Sequence, residues 1–145
     1  MEDRIKCSPR AIHFKKARLQ RLSELIEDYT EMIADLIEAQ GGARVCDIAR
    51  EMGISHVSVL KNIKKLIRAG YLIEDKKPFI ELTQKGQEIA AFSKKKHMIL
   101  ANFLRHLGLP EYIIASDVEG LEHHVSQATL QAIEAHLQEM NLNPL

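Results

Sequence analysis

Cysteine, glycine, proline and aromatic residues are all scarce in this 145-residue chain, with two Cys, seven Gly, four Pro and 5% aromatics. Cys7 and Cys46 share no CxxC spacing and are too few for a disulfide framework. They are expected to be reduced thiols of a cytoplasmic protein, with Cys46, inside an apolar helical pattern, a small core residue. Little Gly and Pro with an ordinary apolar content is the composition of a mainly helical chain. No apolar run approaches the roughly 18 residues of a membrane span. The charged start, Met1-Glu-Asp-Arg-Ile-Lys, has no apolar stretch behind it, so neither a secretory signal nor a membrane partner is expected. The length suits one domain or two small ones and leaves no room for a large cofactor fold.

Lys and Arg are absent from residues 111–145, which hold six acids: Glu111, Asp117, Glu119, Glu122, Glu134 and Glu139. The formal net charge is nevertheless zero, because the cations are concentrated elsewhere. Residues 1–21 carry seven Lys or Arg against Glu2 and Asp3, and residues 55–77 carry six against Glu74 and Asp75. Charge sorted in this way suits one part of the chain to polyanions and another to cations.

A basic arm over residues 1–20, broken at Ser8-Pro9, leads into an apolar pattern that recurs every three or four residues from Leu22 to Ile37. This predicts a long helix ended by Gly41-Gly42, with Asp28 and Glu31 on its polar side. A short helix is predicted from Val45 to Met52, with Val45, Ile48, Ala49 and Met52 inward, closed by Gly53. Ser55 then caps another helix, whose periodic apolar residues are Val57, Leu60, Ile63, Leu66 and Ile67. Helix, glycine turn, capping serine and helix make a helix-turn-helix. Ser55, His56 and Ser58 at the front of its second helix suit base edges, and Lys61, Lys64 and Lys65 behind them suit phosphates. The alternative is a lysine-covered face that meets only water. Tyr71-Leu-Ile and Phe79-Ile-Glu-Leu are expected as two short strands of a wing, with Lys76 and Lys77 at its tip against the DNA backbone or the minor groove. Thr83 opens a long helix to about Leu107, interrupted on its polar face by Lys94-Lys-Lys-His97. A short helix or turn over residues 111–117 and a last amphipathic helix from Val125 to Met140 complete the pattern.

The densest chemistry lies in Asp117-Val-Glu-Gly-Leu-Glu-His-His124. Glu119, Glu122 and His123 stand at i, i+3 and i+4, so a helix from about Glu119 puts them on one face within reach of one ion. Carboxylates with imidazole suit manganese, iron(II) or zinc. A solvated helix start, with its acids near the positive end of the helix dipole, accounts for the same residues. No further acid, base or oxyanion group gathers around them, which argues against a metallohydrolase.

From Glu27-Asp-Tyr-Thr-Glu-Met-Ile33, through the helix-turn-helix and Lys95-Lys-His-Met-Ile-Leu-Ala-Asn-Phe-Leu104, to Asp117-Val-Glu-Gly-Leu-Glu-His-His-Val125, the chain resembles the manganese transport regulators, the two-domain branch of the diphtheria toxin repressor family. The resemblance spans residues 25–140. It implies a mainly α fold with a small β wing, divided into the arm (1–20), a winged helix-turn-helix DNA-binding domain (21–92) and a helical metal-binding and dimerisation domain (93–145). It also implies a manganese-responsive repressor, not an enzyme, that binds a palindromic operator as a metal-loaded homodimer and controls metal-transport genes. Carried over by position, the ligands are Asp28, Glu31, His97, Glu119, Glu122 and His123, enough for one or two Mn2+ per subunit, with Fe2+ as the alternative ion. An iron-responsive or metal-independent winged-helix regulator stays open beside this reading.

Overall fold

A computed structural model of the chain describes residues 8–74 and 77–140. Among these residues six helices follow one another: α1 (Pro9–Gln40), α2 (Val45–Met52), α3 (His56–Arg68), α4 (Gln84–His106), α5 (Glu111–His124) and α6 (Gln127–Glu139). Their starts follow from side-chain caps that satisfy otherwise orphaned N–H groups. Ser8 accepts from the amide of Ala11 with Pro9 at the first helical position, so α1 absorbs the second half of the basic arm. Ser55, Thr83 and Ser126 accept from Ser58, Gly86 and Thr129 and open α3, α4 and α6. Gly41 and Gly53 adopt the left-handed conformation that ends α1 and α2.

Two apolar cores result. Ile26, Tyr29 and Ile33 of α1 pack with Ile48 of α2, with Val59, Ile63 and Leu66 of α3, and with Leu72 and Leu82. Ile99, Leu100 and Leu104 of α4 pack with Ile114 and Val118 of α5 and Leu130 and Leu137 of α6. Helix α4 joins the cores, with Ile89 against the first and Ile99 inside the second. The Asn62 amide donates to the Tyr29 hydroxyl at 2.9 Å and fastens α3 to α1.

Several sequence expectations are corrected. No strand forms among the described residues. The stretches expected as strands meet only through isolated antiparallel bridges, Ala43 with Ile80 and Leu72 with Leu82, and the Ile73 amide donates to the Glu81 carbonyl at 3.0 Å. Residues 111–124 form one helix, not a short helix and a separate start near Glu119, because Gly120 is tolerated in mid-helix and the extended backbone comes only at Val125. In α3 the buried row is Val59, Ile63 and Leu66, whereas Val57 and Leu60 face solvent at 76% and 47% exposure. Cys46 is exposed, because the inward side of α2 is taken by Ile48 and Ala49. Cys7 lies outside the described residues.

Candidate metal centre and nucleic-acid interface

The packing of the two cores aims three polar helix faces at one another. Helix α1 buries Tyr29 and Ile33, so Asp28 and Glu31 are carried on another face. Helix α5 buries Ile114 and Val118, and its continuation places Glu119, Glu122 and His123 one turn apart toward α1 and α4. His97 comes from α4. All six side chains line a single cavity of about 390 Å³, together with Asp35 and the apolar Met32 and Met52.

Within the cavity the donors form two groups. Ligand atoms of His97, Glu119 and Glu122 lie within 4.8 Å of one another. Across from them His123 Nε2 is 3.2 Å from Asp28 Oδ1 and 3.8 Å from Glu122 Oε1. Glu31 faces the same space near Glu122, Asp35 and Glu119. Burial pushes the carboxyls of Asp28, Glu31 and Glu122 above their ordinary range, and the charge of Glu119 pushes each further. The neighbouring imidazoles, His123 for Asp28 and His97 for Glu31 and Glu122, offset part of that rise. Four carboxylates and two imidazoles, with no thiol, are a donor set that fits a hard or borderline divalent cation.

Two participants were not anticipated from the sequence. Lys96 is buried, and its Nζ donates to Glu27 Oε2 at 2.7 Å and to the Glu122 carbonyl at 3.0 Å. Glu27 Oε2 is also 3.2 Å from His123 Nδ1. The available signal was the register of Lys96 with Ser93, Ile99 and Leu100 on the buried side of α4. The other lysines of that run are also used internally. Lys94 pairs with Asp35 and Glu38 of α1 and Lys95 with Glu134 of α6. His124, 65% exposed at its side chain, points to Glu24 instead of the cavity.

The expected nucleic-acid contacts are on the open side of α3. Ser55, His56, Ser58, Lys61, Lys64 and Lys65 are all exposed, although the Ser55 hydroxyl is engaged in the helix cap. Val57 and Leu60 share this exposed surface. Lys77 is exposed near the turn between the bridged segments, and Lys76 lies outside the described residues. Gly42 leaves space for the Phe79 ring, over which the Arg44 guanidinium sits at 4.7 Å. No helix among the described residues is long and apolar enough to cross a membrane.

Residues 21–78 match the family model described as the N-terminal DNA binding domain of iron dependent repressors, and residues 83–145 match their metal binding and dimerisation domain. The transcriptional regulator MntR of Salmonella typhimurium is 40% identical over 126 residues, covering 87% of this chain and 80% of that protein. The HTH-type transcriptional regulator MntR of Bacillus subtilis is 43% identical over 108 residues, covering 74% of this chain and 76% of its own length. Among solved structures, the manganese regulator SloR aligns with a TM-score of 0.68 and 30% identity over 81% of this chain and 54% of that one. The chain thus spans about half the length of that solved relative. With both domains matched in order and relatives near 40% identity over most of their length, the chain belongs to the diphtheria toxin repressor family of iron-dependent repressors.

Proposed function

We propose that this chain is a manganese-responsive transcriptional repressor, acting in the cytoplasm as a homodimer on palindromic operator DNA and controlling metal-transport genes. The observation that carries the reading is the convergence of Asp28, Glu31, His97, Glu119, Glu122 and His123 on one cavity between the helices of the two cores. The names of the relatives, MntR and manganese regulator, point to the same ion. The division of the donors into two groups supports one or two ions per subunit.

The residues carry the response as follows. Asp28 and Glu31 belong to a helix of the DNA-reading core, and Glu119, Glu122 and His123 belong to a helix of the other core. Their carboxylates face one another and repel, which weakens the junction between α1 and α5. A divalent cation supplies the positive charge that this junction lacks. Because Asn62 ties α3 to Tyr29 of α1, fixing α1 fixes the recognition helix as well. In a dimer, two such helices held about one DNA turn apart read a palindrome together. The response is a population shift, limited by the difference in cation affinity between the competent and the splayed arrangements.

In this reading residues 21–92 form the DNA-binding unit, residues 93–145 the metal-binding and dimerisation unit, and α4 runs through the boundary. The bridge between Leu72 and Leu82 supports a wing stem from which Lys77 meets the DNA backbone. Ser55, His56 and Ser58 meet base edges, Lys61, Lys64 and Lys65 meet phosphates, and the exposed Val57 and Leu60 suit thymine methyl groups. The iron-dependent description of both matching domains favours iron(II) as the second reading. Fluorescence anisotropy with operator DNA, titrated with Mn2+ and anaerobically with Fe2+, separates the two. Equal DNA affinity in chelator and in Mn2+ would reject metal control altogether.

A further inference from the structure

A lysine is almost never fully buried unless its charge is met, yet Lys96 is only 6% exposed. Its ammonium touches three things at once. It donates to Glu27 Oε2 of α1 at 2.7 Å and to the Glu122 carbonyl of α5 at 3.0 Å, and it lies 5.5 Å from the centre of the Phe92 ring on its own helix. The Glu122 carbonyl lies in the last turn of α5, where carbonyls lack helical partners and a cation is favoured. Glu27 Oε2 in turn faces His123 Nδ1 at 3.2 Å, so Nε2 is the nitrogen left toward Asp28 and the cavity. Neither Glu27 nor Lys96 lines the cavity. Lys96 meets the charge of Glu27, although Glu27 still adds to the rise of the neighbouring Asp28 carboxyl.

We propose that Lys96 and Glu27 are positioning residues: a buried ion pair that joins α1, α4 and α5, fixes which imidazole nitrogen of His123 faces the metal cavity, and holds the Glu122 end of α5 in place. This rests on the ligand set proposed above. Groups that orient a ligating imidazole through its other nitrogen typically contribute about 10–100-fold to metal affinity. A second tie between the same helices, Gln20 Nε2 donating to the His123 carbonyl at 2.5 Å, keeps α1 near α5 when the ion pair is removed.

The test uses the full chain and four variants, Lys96→Met, Lys96→Arg, Glu27→Gln and His123→Ala. Mn2+ affinity is measured by calorimetry well below the melting temperature, and amide hydrogen exchange over residues 119–124 is measured in chelator. Lys96→Met is expected to lose about 10–100-fold in Mn2+ affinity and to exchange faster over that segment without metal, and Lys96→Arg to restore both. Glu27→Gln is expected to weaken Mn2+ binding as well, and it decides the matter if Lys96→Met does not fold. Native Mn2+ affinity in folded Lys96→Met or in Glu27→Gln, even with a lowered melting temperature, would show the pair to be only structural and overturn the proposal. Failure of the underlying ligand set looks different: His123→Ala would then bind Mn2+ as the parent does.

Discussion

Glu122 Oε2 lies 2.9 Å from His97 Nδ1, a buried carboxylate of α5 held against a half-exposed imidazole of α4. Burial and Glu119 both act to protonate Glu122, and His97 opposes them. Glu122, like Asp28 and Glu31, is therefore poised between a neighbouring imidazole and an external cation.

Glu122→Gln keeps the shape and a hydrogen-bonding partner for His97 while removing one negative charge. In chelator at neutral pH the variant should melt at or above the parent temperature, because a destabilising charge has gone. Its Mn2+ affinity should fall by more than about 100-fold, beyond the loss typical of an orienting residue, and Mn2+ should no longer stimulate DNA binding. Calorimetry and differential scanning fluorimetry together decide this. Native Mn2+ affinity in this variant would remove Glu122 from the ligand set.

The raised carboxyls of Asp28, Glu31 and Glu122 set the sign of a pH effect. Unfolded carboxyls titrate near about 4. A group whose native value is higher binds more protons folded than unfolded, so its contribution to stability is complete below about 4 and is lost as pH climbs through the native value. At neutral pH the metal-free protein carries that loss, whereas Mn2+ needs the same groups ionised. The gain in melting temperature on adding Mn2+ should therefore be larger at pH 7.5 than at pH 5.5. Scanning fluorimetry at fixed Mn2+ checks it, and an equal gain at both values would mean these carboxyls do not couple to the ion.

Helix boundaries were legible because they are local chemistry. Ser55 and Thr83 cap their helices and Gly41 and Gly53 end theirs, whereas Ser8, the cap of α1, read only as a break in the basic arm. The inward face of α3 was legible at Ile63 and Leu66 but not before them, since Val57 with Leu60 and Val59 offer competing helical stripes that lead to Ile63. Only the packing against α1 and α2 selects the second stripe. The break expected between residues 117 and 119 does not occur: the packing of Ile114 and Val118 carries α5 through it, and the one glycine inside the helix, Gly120, costs only about 1 kcal/mol. Glu119, Glu122 and His123 could be placed on one helix face from spacing alone. Asp28, Glu31 and His97 are far away in sequence, and only the family resemblance attached them. Lys96 was hidden because its acceptor on Glu27 is 69 residues away and its other acceptor is a backbone carbonyl.

Gly86, in the first turn of α4, has no room for a side chain. A Cβ there would meet the backbone carbonyl oxygen of Tyr71 and the Leu82 side chain. The Tyr71 carbonyl accepts from the Thr83 amide, so it is held where it is. Gly86→Ala should destabilise the protein by about 1–3 kcal/mol, as overpacking does, and lower the melting temperature by about 2–4 °C for each kcal/mol. Urea unfolding measures it. An unchanged midpoint would mean that the segment from Tyr71 to Leu82 shifts freely against α4.

Lys61 and Lys65 lie one helical turn apart on the exposed side of α3, behind the serines at its front. In the proposed complex both meet phosphates, and each contact releases condensed counterions from the DNA. The logarithm of the binding constant then falls with the logarithm of salt concentration by about 0.9 for each neutralised phosphate. Replacing both with Ala should reduce that slope by about 2 per subunit and weaken operator and unrelated DNA alike, since phosphate contacts carry no sequence information. Mn2+ affinity should stay at the parent value, because neither lysine lines the metal cavity. Anisotropy titrations across a salt series, with operator and random DNA in parallel, provide the measurement. A steeper loss on operator than on random DNA would move these lysines from the phosphates to the base edges, and an unchanged slope would place them in solvent away from the DNA.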